Sequence, residues 1–187
     1  MVTDPLVVVP LLLLALLVFV AVVLIRRASG ALDASRKVQR FQHDAEALGA
    51  RMDNLLSAFV GRVDLVRRRD LEPGEIVDEA HSTLDELEHG RDETLGIETP
   101  PGFAASRTGM AEELERAMRA TEMVIHGCEL ATGPQNRERN SEAHTAVKRG
   151  YLNLLHARER LAEHVADLAG ARDPTSRSWR TSRVTRV

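Results

Sequence analysis

Residues 38 to 66 read VQRFQHDAEALGARMDNLLSAFVGRVDLV, and apolar side chains recur along this stretch at alternating intervals of three and four residues. This spacing places them on one side of an α-helix, as in the heptad seam of a coiled coil. The apolar stripe is narrow before Met52 and widens after it, where Leu56 and Val60 join. A narrow stripe is typical of a coiled-coil stalk and a wide one of a packed bundle. The pattern predicts a helix from about Asp33 to Arg69 that begins as a stalk.

The narrow seam can be covered in two ways. Its members are Val38, Phe41, Ala45, Leu48, Met52 and Leu55. Two copies of the chain can associate through it, which would be favoured if a membrane anchor confined them to two dimensions. Alternatively, later helices of the same chain can extend along the first helix and bury the seam. The sequence leaves both interpretations open.

Three further segments have helical periodicity. The second helix is predicted from Glu75 to His89 with Gly90 as its C-cap, the third from about Ser106 to Ala131, and the fourth from about Asn140 to Gly170. The stretch Arg91 to Phe103 is predicted to be a loop. Short connections favour antiparallel neighbours, and aromatic residues make up only 3% of the chain, which disfavours sheets. The expected fold is all-α, with an antiparallel helical bundle.

A continuous apolar stretch precedes the stalk. Residues Pro5 to Ile25 contain no charged or hydrogen-bonding side chain, and as a helix they would span about 30 Å, the thickness of a bilayer core. A cleaved signal peptide would need a positively charged start, which Met1 to Asp4 lacks. We therefore expect an uncleaved transmembrane helix. The residues assigned to this anchor are Leu6, Leu11, Leu14, Phe19, Leu24, Arg26 and Arg27.

The two arginines directly after the apolar stretch predict the orientation of the transmembrane helix in the membrane. Positive charge is retained on the cytoplasmic side, so Arg26 and Arg27 place the N-terminus outside and the body in the cytoplasm. The sequence divides into an anchor (1–27), a juxtamembrane stalk (28–51), a helical bundle (52–171) and a tail (172–187). Arginine greatly outnumbers lysine, which is a compositional sign of a bacterial origin.

The tail is basic and the body is acidic. The tail has five Arg and one Asp, a net charge of +4. Its candidate contacts with anionic lipids or a partner are Arg177, Trp179, Arg180, Arg183 and Arg186. Its composition predicts disorder, and a solvated tail without function is the simpler interpretation. Because the body is acidic, no nucleic acid is expected as a partner.

Two Glu/Asp-x-x-His sequences resemble fragments of a di-iron bundle site. Such a site needs these motifs on facing helices, whereas Asp78-x-x-His81 and Glu86-x-x-His89 lie on one short segment. Glu86 and His89 are also expected to point away from its apolar face. We therefore expect no metal ligands and no cofactor.

Two other side chains are candidate functional groups. His164 falls between Leu161 and Leu168 on the core side of the fourth helix, where an imidazole could sense pH or contact a ligand. Cys128, the only cysteine, lies on the apolar side of the third helix and is expected to be unreactive. No set of catalytic residues can be assembled from the pattern, and an enzyme is not expected.

The expected function is that of a membrane-anchored scaffold or interaction protein, which recruits or organises partners at the cytoplasmic face. Its partners would be membrane lipids, other proteins and further copies of itself. A signalling bundle that binds a ligand and is coupled to the membrane through its stalk is the alternative. A helical-bundle metalloprotein is a remote third.

Overall fold

The computed structural model describes the backbone of residues 5–134 and 137–170, and side chains from residue 33 onward within these ranges together with those of Leu17 and Phe19. This part of the chain is helical and contains no strand. Its elements are α1 (Pro5–Arg68), a 3₁₀ turn (Pro73–Ile76), α2 (Val77–Gly96), α3 (Ala104–Thr132) and α4 (Arg137–Gly170). The all-α prediction is confirmed.

No helix in the described part of the chain combines the length and the apolarity that crossing a membrane would require.

The predicted anchor lies largely outside the described side chains. Phe19 is exposed. The other anchor residues lie outside the described set: Leu6, Leu11, Leu14, Leu24, Arg26 and Arg27. The transmembrane helix therefore stays a sequence prediction.

The chain divides into two units, one ending at Arg40 and the other beginning at Phe41. The first unit contains the N-terminal part of α1. The second contains the rest of α1 with α2, α3 and α4. Near the start of this second unit, Phe41, Ala45 and Leu48 are buried.

In the second unit, α1 is antiparallel to both α2 and α4. Met52 packs against Gly90, and ten residues further along α1 the Arg62 guanidinium contacts Glu79 of α2. The two helices therefore run in opposite directions. The same holds for α4, since Gly49 lies against Val165 and Arg67 lies over the ring of Tyr151.

The α3 and α4 helices approach each other closely through glycines. A Cβ atom at Gly127 would lie 2.7 Å from Val147 Cγ2, and one at Gly150 would lie 2.8 Å from the carbonyl oxygen of Ala120. These pairs again run in opposite directions, and α2 packs on α3. The four helices thus form an antiparallel up-down bundle, as predicted. A larger residue at either glycine would push two backbones apart.

The core is built mainly from Leu, Val, Ala and Met. Its largest fully buried side chains are Phe41, Phe59, Leu48, Met52, Leu56, Ile76, Leu87, Met110, Leu114, Leu154, Leu168 and Val63. All four helices contribute to this list, so they share one core and do not form two separate helical hairpins.

The predicted end of the second helix is wrong. Gly90 does not cap α2 but lies inside it, and α2 continues to Gly96. The reason is steric, because a Cβ atom at Gly90 would lie 2.6 Å from Met52 Sδ. Thr94 Oγ1 donates a hydrogen bond of 2.7 Å to the carbonyl of Gly90. The glycine therefore serves close helix packing, and the loop before α3 is shorter than the predicted Arg91 to Phe103.

The C-terminal end of α1 has an unusual residue. Arg69 has φ 68°, in the left-handed region. The amide of Arg69 donates to the carbonyl of Val66 at 3.0 Å, and the amide of Asp70 to that of Leu65 at 2.9 Å. This is a Schellman termination, whose left-handed position is usually glycine. A residue with a Cβ atom there costs about 1 kcal/mol.

The glycines of the bundle provide a direct test of its packing. Gly150→Ala should lower the free energy of unfolding by about 1–3 kcal/mol, because the methyl group meets the backbone of α3. Gly61→Ala is the matched control, since no atom lies within 4 Å of its Cβ position. It should stabilise α1 by up to about 1 kcal/mol. Urea unfolding of both variants measures the difference, and equal effects would contradict the α3–α4 packing described.

Candidate functional site

The predicted self-association seam lies in the core of the bundle. Phe41, Ala45, Leu48 and Met52 are at most 2% exposed, while Val38 and Leu55 are partly buried.

Residues of the same chain cover this seam. The ring of Phe41 lies 5.5 Å from that of Phe103, which precedes α3. Met52 packs against Gly90 of α2, and Gly49 contacts Val165 of α4. The structure favours the second of the two interpretations, burial within one chain.

Replacing Leu48 by Asp separates the two interpretations experimentally. With Leu48 internal, the charge should lower the free energy of unfolding by about 3–5 kcal/mol, since it enters an apolar site without a partner. Thermal unfolding measures this effect. Ala47→Asp is the matched control, because Ala47 is exposed on the same turn and should leave the melting temperature nearly unchanged. An unaltered melting temperature for Leu48→Asp, together with loss of crosslinking between copies, would instead favour an intermolecular seam.

Ion pairs join α1 to both of its neighbours. Arg158 Nε of α4 lies 2.6 Å from Asp53 Oδ1, and this hydrogen bond raises the pKa of Arg158. On the other side, Arg62 Nε lies 3.0 Å from Glu79 Oε2 of α2. Arg51 and Glu93 form a second pair between the same helices. These pairs are partly exposed, so each contributes at most about 1 kcal/mol. They mainly define the register of the helices.

One buried polar residue also positions a helix end. Gln42 is 2% exposed, and its Nε2 donates a hydrogen bond of 2.9 Å to the carbonyl oxygen of Leu168 near the end of α4. The last carbonyls of a helix have no partner within it. Gln42 of α1 therefore connects its helix to the backbone of α4 through a buried hydrogen bond.

The side chains of the two Glu/Asp-x-x-His sequences do not come together at a common metal site. Glu86 and His89 are exposed on α2, and the Nδ1 atom of His81 lies 2.9 Å from the backbone oxygen of Val77. Over the described residues, no three His, Cys, Asp or Glu side chains are grouped so that they could hold a metal ion.

The side chain of His164 packs against a neighbouring helix. It is half-buried, and its Cε1 atom lies 2.7 Å from the Cβ position of Gly109 on α3. One turn along α3, Glu113 is 7% exposed, and its Oε2 lies 3.3 Å from Arg116 Nε. The sequence pattern gave no signal for Glu113, because it directly precedes the core residue Leu114. Neither side chain lines a concave site that we identify.

Cys128 is fully buried on α3, and burial raises the pKa of its thiol to about 11. The thiolate is the reactive form of cysteine. The thiol therefore stays protonated and unreactive in the folded chain at neutral pH.

The raised thiol pKa makes stability depend on pH. In the unfolded chain the thiol ionises at about pH 8.5, whereas in the folded chain its pKa is about 11. Between these values the unfolded chain has lost the proton that the folded chain keeps, so the free energy of unfolding falls as pH rises. Below about pH 8.5 the contribution is fully present. Urea unfolding between pH 8 and 11 should show a steeper fall for the wild type than for Cys128→Ala. Identical slopes would contradict the burial of the thiol.

The predicted lipid- or partner-binding residues of the tail lie outside the described residues. They are Arg177, Trp179, Arg180, Arg183 and Arg186. Contacts of this tail with lipids or partners stay a prediction.

A cleft of about 370 Å³ lies where the end of α1 and the following segment meet α3 and α4. Its apolar lining includes Val66, Leu71, Pro73, Gly127, Ala131, Ala143 and Val147. Its polar lining consists of Arg67, Arg69, Glu72, Asn140 and His144. Three of the bundle helices thus contribute to one open, concave surface that presents both apolar and charged side chains.

One arginine of the cleft is held in place by its neighbours. Arg67 donates two hydrogen bonds to Asp64 Oδ1, at 2.9 Å from Nε and 2.7 Å from Nη2. Its guanidinium carbon lies 5.1 Å from the centre of the Tyr151 ring, a cation–π contact. The hydrogen bond from Arg67 lowers the pKa of Asp64, which also pairs with Arg68.

The sequence pattern did not reveal this cleft. Its polar residues come from the end of α1, the segment after it and the beginning of α4. They share no spacing, since only the antiparallel arrangement brings them together. The run of three arginines from Arg67 to Arg69 was visible in the sequence, but it resembles an ordinary basic helix end.

No family model matches this sequence, and no curated protein or solved structure shows significant similarity to it.

Proposed function

We propose that this protein is a membrane-anchored helical scaffold whose bundle recruits or organises partners at the cytoplasmic face of the membrane. One observation carries the proposal. The stretch Pro5 to Ile25 has no charged or hydrogen-bonding side chain, and Arg26 and Arg27 follow it directly. Such a stretch matches the thickness of a bilayer core, and the arginines favour retention of the following segment in the cytoplasm.

The second unit of the chain supports a recruiting role. Its apolar side chains form one core from four helices, and ion pairs define the register of α1 against α2 and α4. A bundle that is closed in this way presents the solvent-facing sides of its helices as stable surfaces. Surfaces on regular elements can bind a partner without first paying a large ordering entropy.

The cleft favours a second candidate function, ligand sensing. Two residues of its wall, Val66 and Arg67, belong to α1, the helix that also contains the apolar stretch. A ligand that binds one arrangement of the α1 end better than another would shift the population of that arrangement. The bundle would then act as the input of a signalling protein.

Membrane insertion can be tested with charges in the middle of the apolar stretch. Leu14→Arg combined with Val18→Arg should move the full chain from the membrane fraction to the soluble fraction. Each arginine at the centre of a membrane helix costs about 2.5–3.5 kcal/mol. The matched control is Leu14→Ala combined with Val18→Ala, which should stay in the membrane fraction after extraction at high pH. Recovery of the wild type in the soluble fraction would contradict the anchor.

The orientation requires a separate measurement. Protease added to intact spheroplasts should leave the bundle undigested, and the same protease after lysis should digest it. Digestion before lysis would place the bundle outside and exclude recruitment of cytoplasmic partners.

A further inference from the structure

The cleft at the end of α1 is lined by a charged side chain, that of Arg69, which does not contribute to holding the helices together. The side chain of Arg69 is exposed, and its guanidinium makes no hydrogen bond or ion pair with any residue that the structure describes. Its neighbours in the sequence differ, because both Arg67 and Arg68 pair with Asp64. The guanidinium of Arg69 is therefore available to a bound molecule.

The backbone of Arg69 is a second and independent observation. The residue occupies the left-handed position of the helix termination, with φ 68°, where glycine would be relaxed. Residues in such sparsely populated conformations cluster at binding and catalytic sites, where a side chain is needed despite the strain. Arg69 meets this description because it also lines a cleft.

We propose that the cleft binds a small monocarboxylate with a short apolar chain. The carboxylate would accept hydrogen bonds from Arg69, with Arg67 and His144 on the same lining. Arg67 is already oriented by Asp64 and Tyr151, so little rotational freedom is lost on binding. The apolar chain would lie against Val147 and the other apolar walls.

The size and the charges of the cleft restrict the ligand. A volume of about 370 Å³ is at the small end of ligand pockets, which suits a molecule smaller than most drugs. Glu72 also lines the cleft, and its carboxylate repels each negative charge of a ligand, so the penalty grows with the number of charges. A single carboxylate is therefore favoured over a polyanion. This inference deepens the ligand-sensing candidate and does not depend on membrane insertion.

Hexanoate is a suitable probe, and the purified full chain is the sample. Isothermal titration should show saturable binding of hexanoate with a stoichiometry of one per chain. Arg69→Gln keeps a long polar side chain on the same backbone and should weaken binding at least tenfold, since it removes a charge-assisted hydrogen bond. Arg119→Gln is the matched control, because Arg119 pairs with Glu115 and does not line the cleft. It should leave the affinity unchanged.

Two further measurements separate this site from nonspecific attraction. Glu72→Gln should strengthen hexanoate binding, because it removes the only carboxylate among the described lining residues. Hexylamine, with the same chain length and opposite charge, should not bind. Circular dichroism of each variant confirms that the bundle is folded.

Three results would overturn the proposal. They are the absence of saturable hexanoate binding, equal affinities of the wild type and Arg69→Gln, and equal binding of inorganic phosphate, which would show a plain anion site. All three are measured by ligand binding to the purified chain. A negative result therefore leaves the membrane proposal intact, and a failure of membrane insertion leaves the binding proposal intact.

Discussion

The apolar stripe of α1 from Phe41 to Val66 has to be removed from water, and the rest of the bundle depends on how this is done. The stripe widens along the helix, so a single neighbour cannot cover it. α2 covers one side through Gly90, and α4 covers the other through Val165. α3 then closes the bundle against α2 and α4. Removing the stripe from water is also the dominant favourable term in folding such a domain.

The same requirement explains where the glycines lie. Gly49, Gly90, Gly127 and Gly150 each face a side chain or backbone atom that would lie within 3 Å of an added Cβ atom. Glycine disfavours a helix by about 1 kcal/mol relative to alanine. The close approach of two helices offsets this cost, because more atoms come into van der Waals contact. Most of the described glycines inside helices lie at close packing contacts.

The sequence predicted the number and order of the helices correctly, because their periodicity is local. It did not predict the extent of α2, since Gly90 has the composition of a cap and only the contact with Met52 shows otherwise. The buried part of α1 begins at Phe41. The width of the stripe before Met52 did not reveal that α4 lies beside it.

The cleft could not be predicted for a similar reason. Its lining residues are far apart in the sequence and become neighbours only through antiparallel packing. In the sequence, Arg69 belongs to an ordinary basic run at a helix end. Its left-handed backbone is a property of the fold, and a sequence pattern gives no direct sign of it. By contrast, the membrane anchor rests on a continuous local stretch, which is why the sequence alone supports that prediction.

Residues 41 to 68 of α1 are an integral part of the bundle and not a separate stalk. Native-state hydrogen exchange of the full chain measures this directly. The buried side of α1 from Phe41 onward should exchange with the same free energy of opening as the core of α3, because both are exposed only when the bundle unfolds. Exchange of residues 41 to 51 by an independent opening of much lower free energy would contradict the claim.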